Sequence, residues 1–301
     1  MSRTLIIDGN SLGYAAHSAT KLSAGGMETQ AIFGFVKTMR EIVSTYKGFS
    51  PIVLWDGRSE WRFKLMPEYK SNRESDANKV AVKEAYAAQR PHIQRAMLSL
   101  GVRQMMVASH EADDMAGYLV GKLTKSSSDN EIVLITGDCD WIQLVRPNVT
   151  WRDWRDDSRI VTLDNLMDKT GYATAYGFLE GKCLQGDTSD CISGVGGIGK
   201  KGAPEFIAEF GSVRKFWQRC DSGDFVPKKK SHERLNSEEG RAVFRRNFRL
   251  MQLLSITPPD KAAVSNSHRP QDKEAFAKLC EEFSFVSVLR NLDVFCNAFK
   301  E

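Results

Sequence analysis

Short apolar runs alternate with amphipathic segments along the first half of the chain. The apolar runs predict strands at 4–8, 51–55, 102–107 and 131–136, and the amphipathic pattern predicts helices over 30–46, 78–100 and 111–125. Pro91 predicts a kink or break in the second of these helices, because proline lacks the backbone N–H that a helix interior needs. Strands that alternate with helices predict an α/β fold with a mostly parallel central sheet flanked by helices.

The pattern changes near Gly171. Beyond it, helical periodicity predicts helices over 173–185, 200–210, 237–254 and 273–283. The polar stretches 221–236 and 257–271, which contain Pro, Ser and Lys, predict loops. We therefore expect an α/β domain over residues 1–172 and a helical region over 173–301.

Acidic residues follow the predicted strands. Three of five acidic clusters come directly after apolar runs, one opens a predicted helix and one lies in a loop: Asp8; Asp56; Asp138 and Asp140; Glu111, Asp113 and Asp114; Asp187 and Asp190. Taken singly, such acids are ordinary turn residues or helix-terminal residues. In open parallel sheets, however, ligand-binding and catalytic residues lie just beyond the carboxyl ends of the strands. An all-oxygen ligand set suits Mg²⁺ or Mn²⁺, and two such ions about 3.5–4 Å apart can clamp a phosphodiester.

The amino-acid composition indicates an ordinary globular protein rather than a membrane protein or a disulfide-rich one. Hydrophobic residues make up 42% and charged residues 27% of the 301 residues, which is typical of a globular protein. The longest apolar stretches are too short to span a bilayer, so we expect no membrane partner. The six cysteines are scattered, which predicts reduced thiols in the cytosol.

The net charge is only +4, but the cationic residues are clustered in a few short segments of the sequence. One basic segment interleaves cations with aromatic residues: Arg58, Arg62, Lys64, Tyr69, Lys70 and Arg73. It is either a solvated basic loop or a nucleic-acid contact in which cations hold phosphates and rings stack on unpaired bases.

A glycine-rich stretch over 194–201 allows two interpretations. It nearly matches a phosphate-binding P-loop, but Lys201 stands where that motif has Ser or Thr, and no apolar strand precedes it. The alternative is a hairpin between two helices that turns backbone N–H groups toward a DNA phosphate. We expect its DNA contacts from Gly194, Gly196, Gly197, Gly199, Lys200 and Lys201.

The motifs together resemble the 5′ nucleases: the phage-type flap endonucleases and 5′–3′ exonucleases, and the 5′-nuclease domain of bacterial DNA polymerase I. Seven motifs occur in the family's order, at 7–10, 55–57, 67–73, 111–114, 136–140, 186–190 and 194–199. Cys139 departs from the pattern, because it stands where we expected Gly, Lys or a similar residue. Its position between two acids could make the site sensitive to oxidation or to soft metals.

The resemblance implies a PIN-like nuclease core with a helical arch over about 58–92 and a helix–hairpin–helix over about 183–212. It implies two metal ions, the first near Asp8, Asp56, Glu111 and Asp113, with Asp114 beside them, and the second near Asp138, Asp140, Asp187 and Asp190. Tyr69, Lys70 and Arg73 match the arch, where Lys70 would polarise the scissile phosphate and Tyr69 would stack. Some family members bind K⁺ at the hairpin.

The implied activity is cleavage of DNA at a 5′ flap or a 5′ end beside a duplex, by a monomeric enzyme in the cytoplasm of a host bacterium. Two rivals remain open: a DNA-junction-binding replication accessory without catalysis, and a PIN-type ribonuclease. The full carboxylate set argues against the first rival, and the glycine hairpin and basic segment argue against the second.

Overall fold

A seven-stranded sheet forms the centre of the computed structural model, which describes residues 1–19, 21–73, 77–253 and 263–300. The strands are β1 Arg3–Asp8, β2 Ser23–Ala24, β3 Met27–Glu28, β4 Ser50–Trp55, β5 Arg103–Val107, β6 Glu131–Ile135, β7 Val149–Arg152, β8 Ile160–Val161, β9 Gly186–Asp187, β10 Ile192–Ser193 and β11 Val264–Ser267. The central sheet has the order β11-β5-β4-β1-β6-β7-β8. Its five inner strands are parallel, and β11 and β8 pair antiparallel at the two edges. The predicted fold class is confirmed.

Helices cover both faces of this sheet. They are α1 Gly9–Ala19, α2 Gln30–Thr45, α3 Glu60–Leu65, α4 Ala77–Ser99, α5 Ala112–Ser126, α6 Leu166–Thr170, α7 Ala175–Gln185, α8 Gly202–Phe210, α9 Val213–Asp221, α10 Lys230–Asn236, α11 Glu238–Met251, α12 Lys273–Glu282, α13 Val286–Leu289 and α14 Leu292–Asn297. Short 3₁₀ turns lie at Ser71–Arg73, Cys139–Leu144 and Thr188–Asp190.

The central strands are apolar on both faces, because each face meets a different helical layer. In β1, Leu5 and Ile7 pack with α1, α2 and α4, whereas Ile6 between them packs with α5, α7 and α11. This follows from the two-residue period of a strand. Phe276 of α12 and Phe295 of α14 are buried in the same hydrophobic cluster as Leu5. The segment after residue 172 therefore contributes to both faces of the sheet, and the proposed domain boundary stays a prediction.

Several elements differ from the sequence expectations. Helix α4 continues through Pro91 without a break, because buried Gln89 and Ile93 hold its two halves against the core. The polar stretches predicted as loops contain α10 and β11, and β11 pairs with β5. Helices α1 and α9 and the strands β7 and β8 were not predicted. The strands β7 and β8 have four and two residues, which is too short to show a clear two-residue period.

Candidate metal centre and nucleic-acid interface

Three neighbouring parallel strands each carry a carboxylate where they end. Asp8 is the last residue of β1, Asp56 directly follows β4, and Asp138 follows β6 after a two-residue turn. The register aligns Asp8 with Leu54 and Ile7 with Ile135, so the three strand ends lie side by side. The sheet itself therefore gathers acids that are far apart in the sequence.

Hydrogen bonds from neighbouring segments orient these carboxylates. Asp8 accepts bonds from the Ser11 backbone N–H at 2.9 Å and from the Thr136 hydroxyl at 2.9 Å. Asp56 accepts the backbone N–H of Ala112 at 2.8 Å, which joins it to the start of α5. The Asn10 amide donates to the other oxygen of Asp56. The acids are thus held in fixed directions by the ends of α1, α5 and β6.

Helix α5 adds two more acids at the same edge. Glu111 is its N-cap residue and Asp113 lies in its first turn. The indole N–H of Trp141 donates to Asp113 Oδ1 at 2.6 Å, which fixes the orientation of this carboxylate. Asp113, Asp140, Asp187 and Asp190 line one cavity together with Glu111.

The electrostatics show how closely the acids are packed. Burial, and then the charge of Asp56, raises the pKa of Asp8 to about 6. Burial and the charge of Asp140 raise the pKa of Asp138 to about 7. The pKa of Asp113 is also raised, first by burial and then by the charges of Asp138, Asp8, Asp56 and Glu111. So much negative charge at one edge favours a cation there.

Two lysines supply positive charge at this edge. Lys70 Nζ lies 2.8 Å from Glu111 Oε1 and 3.9 Å from Asp190 Oδ2. Lys182, on α7, lies 2.7 Å from Asp140 Oδ1 and 3.0 Å from Asp187 Oδ2. Lys182 was missed from the sequence, because it precedes Asp187 on a helix and belongs to no motif that we recognised. Each lysine bridges two of the acids expected to bind metal.

The oxygen-only donor set fits hard divalent cations such as Mg²⁺, which bind through a few carboxylates and keep several waters. Among the residues that the structure describes, no group of three or more His, Cys, Asp or Glu side chains is arranged to enclose an ion. Lys70 and Lys182 take up carboxylate oxygens that would otherwise face a cation. Among the described residues, the acids paired with these two lysines therefore do not form a closed set of metal ligands.

Asp114 and Arg62 form a buried pair beside this site. Arg62 is 2% exposed, and its guanidinium contacts both oxygens of Asp114, at 2.8 and 2.6 Å. Its Nε donates to the Leu250 carbonyl at 3.0 Å. The sequence prediction placed Arg62 on DNA and Asp114 beside a metal ion. Their burial and mutual bonds argue instead for a structural link between α3, α5 and α11.

Tyr69 is buried beside Glu111. It is 3% exposed, and its hydroxyl donates to Glu111 Oε2 at 3.0 Å. Its ring packs edge-on against Phe63, with 5.5 Å between the ring centroids. In this conformation the ring has no exposed face to stack on a base, contrary to the expected role. The side chain of Arg73 and residues 74–76 lie outside the described part, so the predicted arch is described only by α3, the 3₁₀ turn and α4.

Comparison with known proteins identifies the family. The model of the 5′-3′ exonuclease N-terminal resolvase-like domain matches residues 3–171. The chain belongs to this 5′-3′ exonuclease family.

Relatives and solved structures agree with this assignment. The DNA polymerase I of Caldicellulosiruptor bescii is 28% identical over 298 residues, which cover 96% of this chain and 33% of the relative. That of Bacillus subtilis is 26% identical over 298 residues, 96% of this chain and 32% of the relative. The chain thus spans about a third of the length of these relatives.

Structures of the bacteriophage T5 enzyme share the fold over nearly the whole chain. The T5 5′-exonuclease with bound zinc ions has a TM-score of 0.70 and 25% identity, covering 99% of this chain and 98% of that one. The T5 flap endonuclease in a pseudo-enzyme–product complex with DNA and metal ions has a TM-score of 0.69 and 23% identity, covering 98% and 99%. Across the described residues, no helix of this family member has the length and apolar character needed to cross a membrane.

The glycine-rich stretch of this 5′-3′ exonuclease family member lies between two helices. It follows β10, a two-residue strand that pairs antiparallel with β9 outside the central sheet, and leads into α8, whereas a P-loop follows a strand of a parallel sheet. Gly196 and Gly197 have φ of 66° and 80°, which side chains rarely adopt. Buried Val195 and Ile198 anchor the hairpin, while Lys200 and Lys201 are exposed. Arg58 and Lys64 are exposed as well.

Proposed function

We propose that this chain is a metal-dependent 5′ nuclease that hydrolyses DNA phosphodiesters near junctions of single-stranded and duplex DNA. The main support is the row of carboxylates at the ends of β1, β4 and β6 and at the start of α5, with Lys70 and Lys182 among them. The family supports the same activity, because its T5 members are described as a 5′-exonuclease and a flap endonuclease.

Each group of acids has a role in this proposal. Asp8, Asp56, Glu111 and Asp113 would hold one Mg²⁺ or Mn²⁺ ion, and Asp138, Asp140, Asp187 and Asp190 a second. When bound, such ions supply a water of lowered pKa and neutralise charge on the phosphate in the transition state. Lys182 positions Asp140 and Asp187 by bridging them. The glycine hairpin would bind duplex phosphates through its backbone N–H groups, with K⁺ as a candidate ion there.

Lys70 would act on the scissile phosphate. It lies between Glu111 and Asp190, which belong to the two acid groups, so a phosphate held between these groups would come within reach of its ammonium. Its positive φ of 58° is strained for a residue with a side chain, and its backbone N–H donates to the Asp190 carbonyl at 3.1 Å. The fold therefore holds the ammonium group at this point.

Cleavage of a 5′-end-labelled flap DNA tests the activity. We expect products near the junction with Mg²⁺, none with EDTA, and a rate at least about 100-fold lower for Asp138→Asn, because one metal ligand loses its charge. Asp164→Asn, which changes an exposed acid away from this edge, should cleave like the wild type. Tight junction binding without cleavage in any divalent metal would favour the accessory-protein rival, and preferential cleavage of single-stranded RNA would favour the ribonuclease.

Lys70→Ala separates catalysis from binding. We expect a single-turnover rate at saturating enzyme that is lower by about 100-fold, with DNA affinity changed only a few fold, because a transition-state contact appears in the rate. Lys64→Ala provides the contrast: a phosphate contact should lower affinity and leave the saturated rate unchanged. Equal losses of affinity in both variants, with no loss of rate, would show that Lys70 is only a phosphate anchor.

A further inference from the structure

An arginine pair lies beside the acidic edge, in the loop between β7 and β8. Arg155 contacts Asp153 through Nε and Nη2, both at 2.8 Å, and Arg159 Nη1 lies 2.6 Å from the same carboxylate. Asp153 is fully buried, whereas the side chains of Arg155 and Arg159 are 48% and 41% exposed. One buried acid thus fixes two guanidinium groups whose other sides face solvent.

Aromatic rings and the backbone hold the pair further. The Arg155 guanidinium lies 5.2 Å from the centroid of the Trp154 ring, and that of Arg159 lies 5.6 Å from the centroid of Trp151. The loop itself is closed by a hydrogen bond from the Asp153 N–H to the Arg159 carbonyl at 3.1 Å. Side chains fixed in this way lose little entropy when they bind a ligand.

The pair lies directly against the candidate metal centre. A Cβ atom at Gly137, the residue before Asp138, would lie 2.3 Å from Arg155 Nη2, so the guanidinium packs against this backbone. Arg159 Nη2 is 3.7 Å from the sulfur of Cys139, the residue after Asp138. Along the sheet edge, Glu111 follows β5, Asp56 follows β4, Asp138 follows β6, and the arginines follow β7. They therefore lie beyond the β6 end of the row, on the side away from Lys70.

We propose that Arg155 and Arg159, positioned by Asp153, form a binding site for a backbone phosphate of the DNA adjacent to the scissile one. This inference rests on the proposed function, because it needs a DNA strand at the acidic edge. Adjacent strands are about 4.8 Å apart, so a strand of DNA that crosses the acids would continue within reach of the β7–β8 loop. Guanidinium groups suit this role, since their planar forks match phosphate oxygens.

The competing explanation is that the arginines only offset the charge of Asp138 and Asp140. The two explanations differ in the salt dependence of DNA binding. Each phosphate contact releases counterions, so its loss makes log affinity less dependent on log salt concentration, by about one unit of slope per contact. Charge compensation inside the protein has no such effect on that slope.

The test is binding of a fluorescent 5′-flap DNA in EDTA, which prevents cleavage, at several salt concentrations. The variant Asp153→Asn/Arg155→Gln/Arg159→Gln removes two positive charges and one negative charge, a net change of −1, and leaves no buried acid without a partner. Arg95→Gln also changes the charge by −1, and Arg95 is similarly exposed, at 46%, on α4. We expect the triple variant to bind about tenfold more weakly with a slope smaller by about one unit, because one phosphate contact is lost, and Arg95→Gln to match the wild type.

Two other outcomes are informative. A folded triple variant with the wild-type affinity and slope would overturn the phosphate site while leaving the proposed function intact. A wild-type protein that neither binds flap DNA in EDTA nor cleaves it with Mg²⁺ would contradict the proposed function, and the phosphate site with it. Circular dichroism of the triple variant establishes that it is folded, and Arg155→Gln alone, which leaves Arg159 paired with Asp153, provides a milder variant that should lose less than about one unit of slope.

Discussion

The burial of Arg62 changes what its charge can do. In the sequence it belongs to a basic segment, and its neighbours Arg58 and Lys64 are exposed. In the fold, its guanidinium satisfies Asp114, and its Nη1 lies 3.4 Å from Glu111 Oε2. The charge of Asp114, together with its hydrogen bonds, holds the pKa of Arg62 above its ordinary value despite burial. A cation enclosed in this way stabilises the acidic edge rather than binding DNA.

Arg62→Met should therefore lower the free energy of unfolding by about 3–5 kcal/mol, because it leaves the Asp114 carboxylate buried without its partner. Urea denaturation followed by circular dichroism measures this change. Arg58→Met is the control: that side chain is 70% exposed, and we expect a change within about 0.5 kcal/mol. If Arg62→Met instead kept its stability and bound DNA more weakly, the structural role assigned to Arg62 would be wrong.

At the scale of elements, helix α5 carries two glycines that lie in opposite surroundings. A Cβ atom at Gly117 would lie 1.9 Å from the Leu253 carbonyl oxygen, whereas one at Gly121 would meet nothing within 4 Å. The absence of a side chain at Gly117 therefore allows the segment after α11 to cross α5 closely. This crossing matters to the site, since Glu111 and Asp113 lie at the start of α5 and Met251 and Leu253 line the same cavity.

Gly117→Ala and Gly121→Ala should consequently act in opposite directions. We expect Gly121→Ala to raise the free energy of unfolding by up to about 1 kcal/mol, through its higher helix propensity. Gly117→Ala gains the same propensity but must displace backbone, and should cost about 1–3 kcal/mol. Thermal unfolding of the two variants beside the wild type measures both changes. Equal stabilisation by both substitutions would contradict the close crossing.

The elements that the sequence predicted are those whose pattern is local. Short continuous apolar runs identified β1, β4 and β6, and the acids that follow these strands identified the edge, because both signals lie within a few residues. Strand β11 was not predicted, since its residues are mostly polar and it is a strand only through its pairing with β5. Lys182 was missed for a similar reason, because only the tertiary fold brings it to Asp140. Contacts between distant segments leave no periodic signal.

At the scale of the whole molecule, the acidic edge opposes the stability of the fold. The pKa values of Asp8 and Asp138, about 6 and about 7, are above their ordinary value of 3.8, so the folded protein binds these protons more tightly than the unfolded chain does. Stability that is present below about pH 4 should therefore be lost as the pH rises through about 6 to 7. The proposed function accounts for this cost, because a site for cations needs ionised carboxylates held close together.

Divalent metal should reverse this loss, and more strongly at high pH. Mg²⁺ binds the ionised carboxylates, so its stabilising effect should be small at pH 5 and reach about 2.7 kcal/mol at pH 8 when its concentration is 100 times the dissociation constant. Urea unfolding at both pH values, with Mg²⁺ or with EDTA, measures the difference. Asp138→Asn should unfold at higher urea than the wild type in EDTA at pH 8 and gain less from Mg²⁺. Mg²⁺ that binds at this edge must compete with the protons that Asp8 and Asp138 bind as the pH falls from 8 to 5. An equal stabilising effect of Mg²⁺ at pH 5 and pH 8 would therefore mean that the ions bind away from these acids.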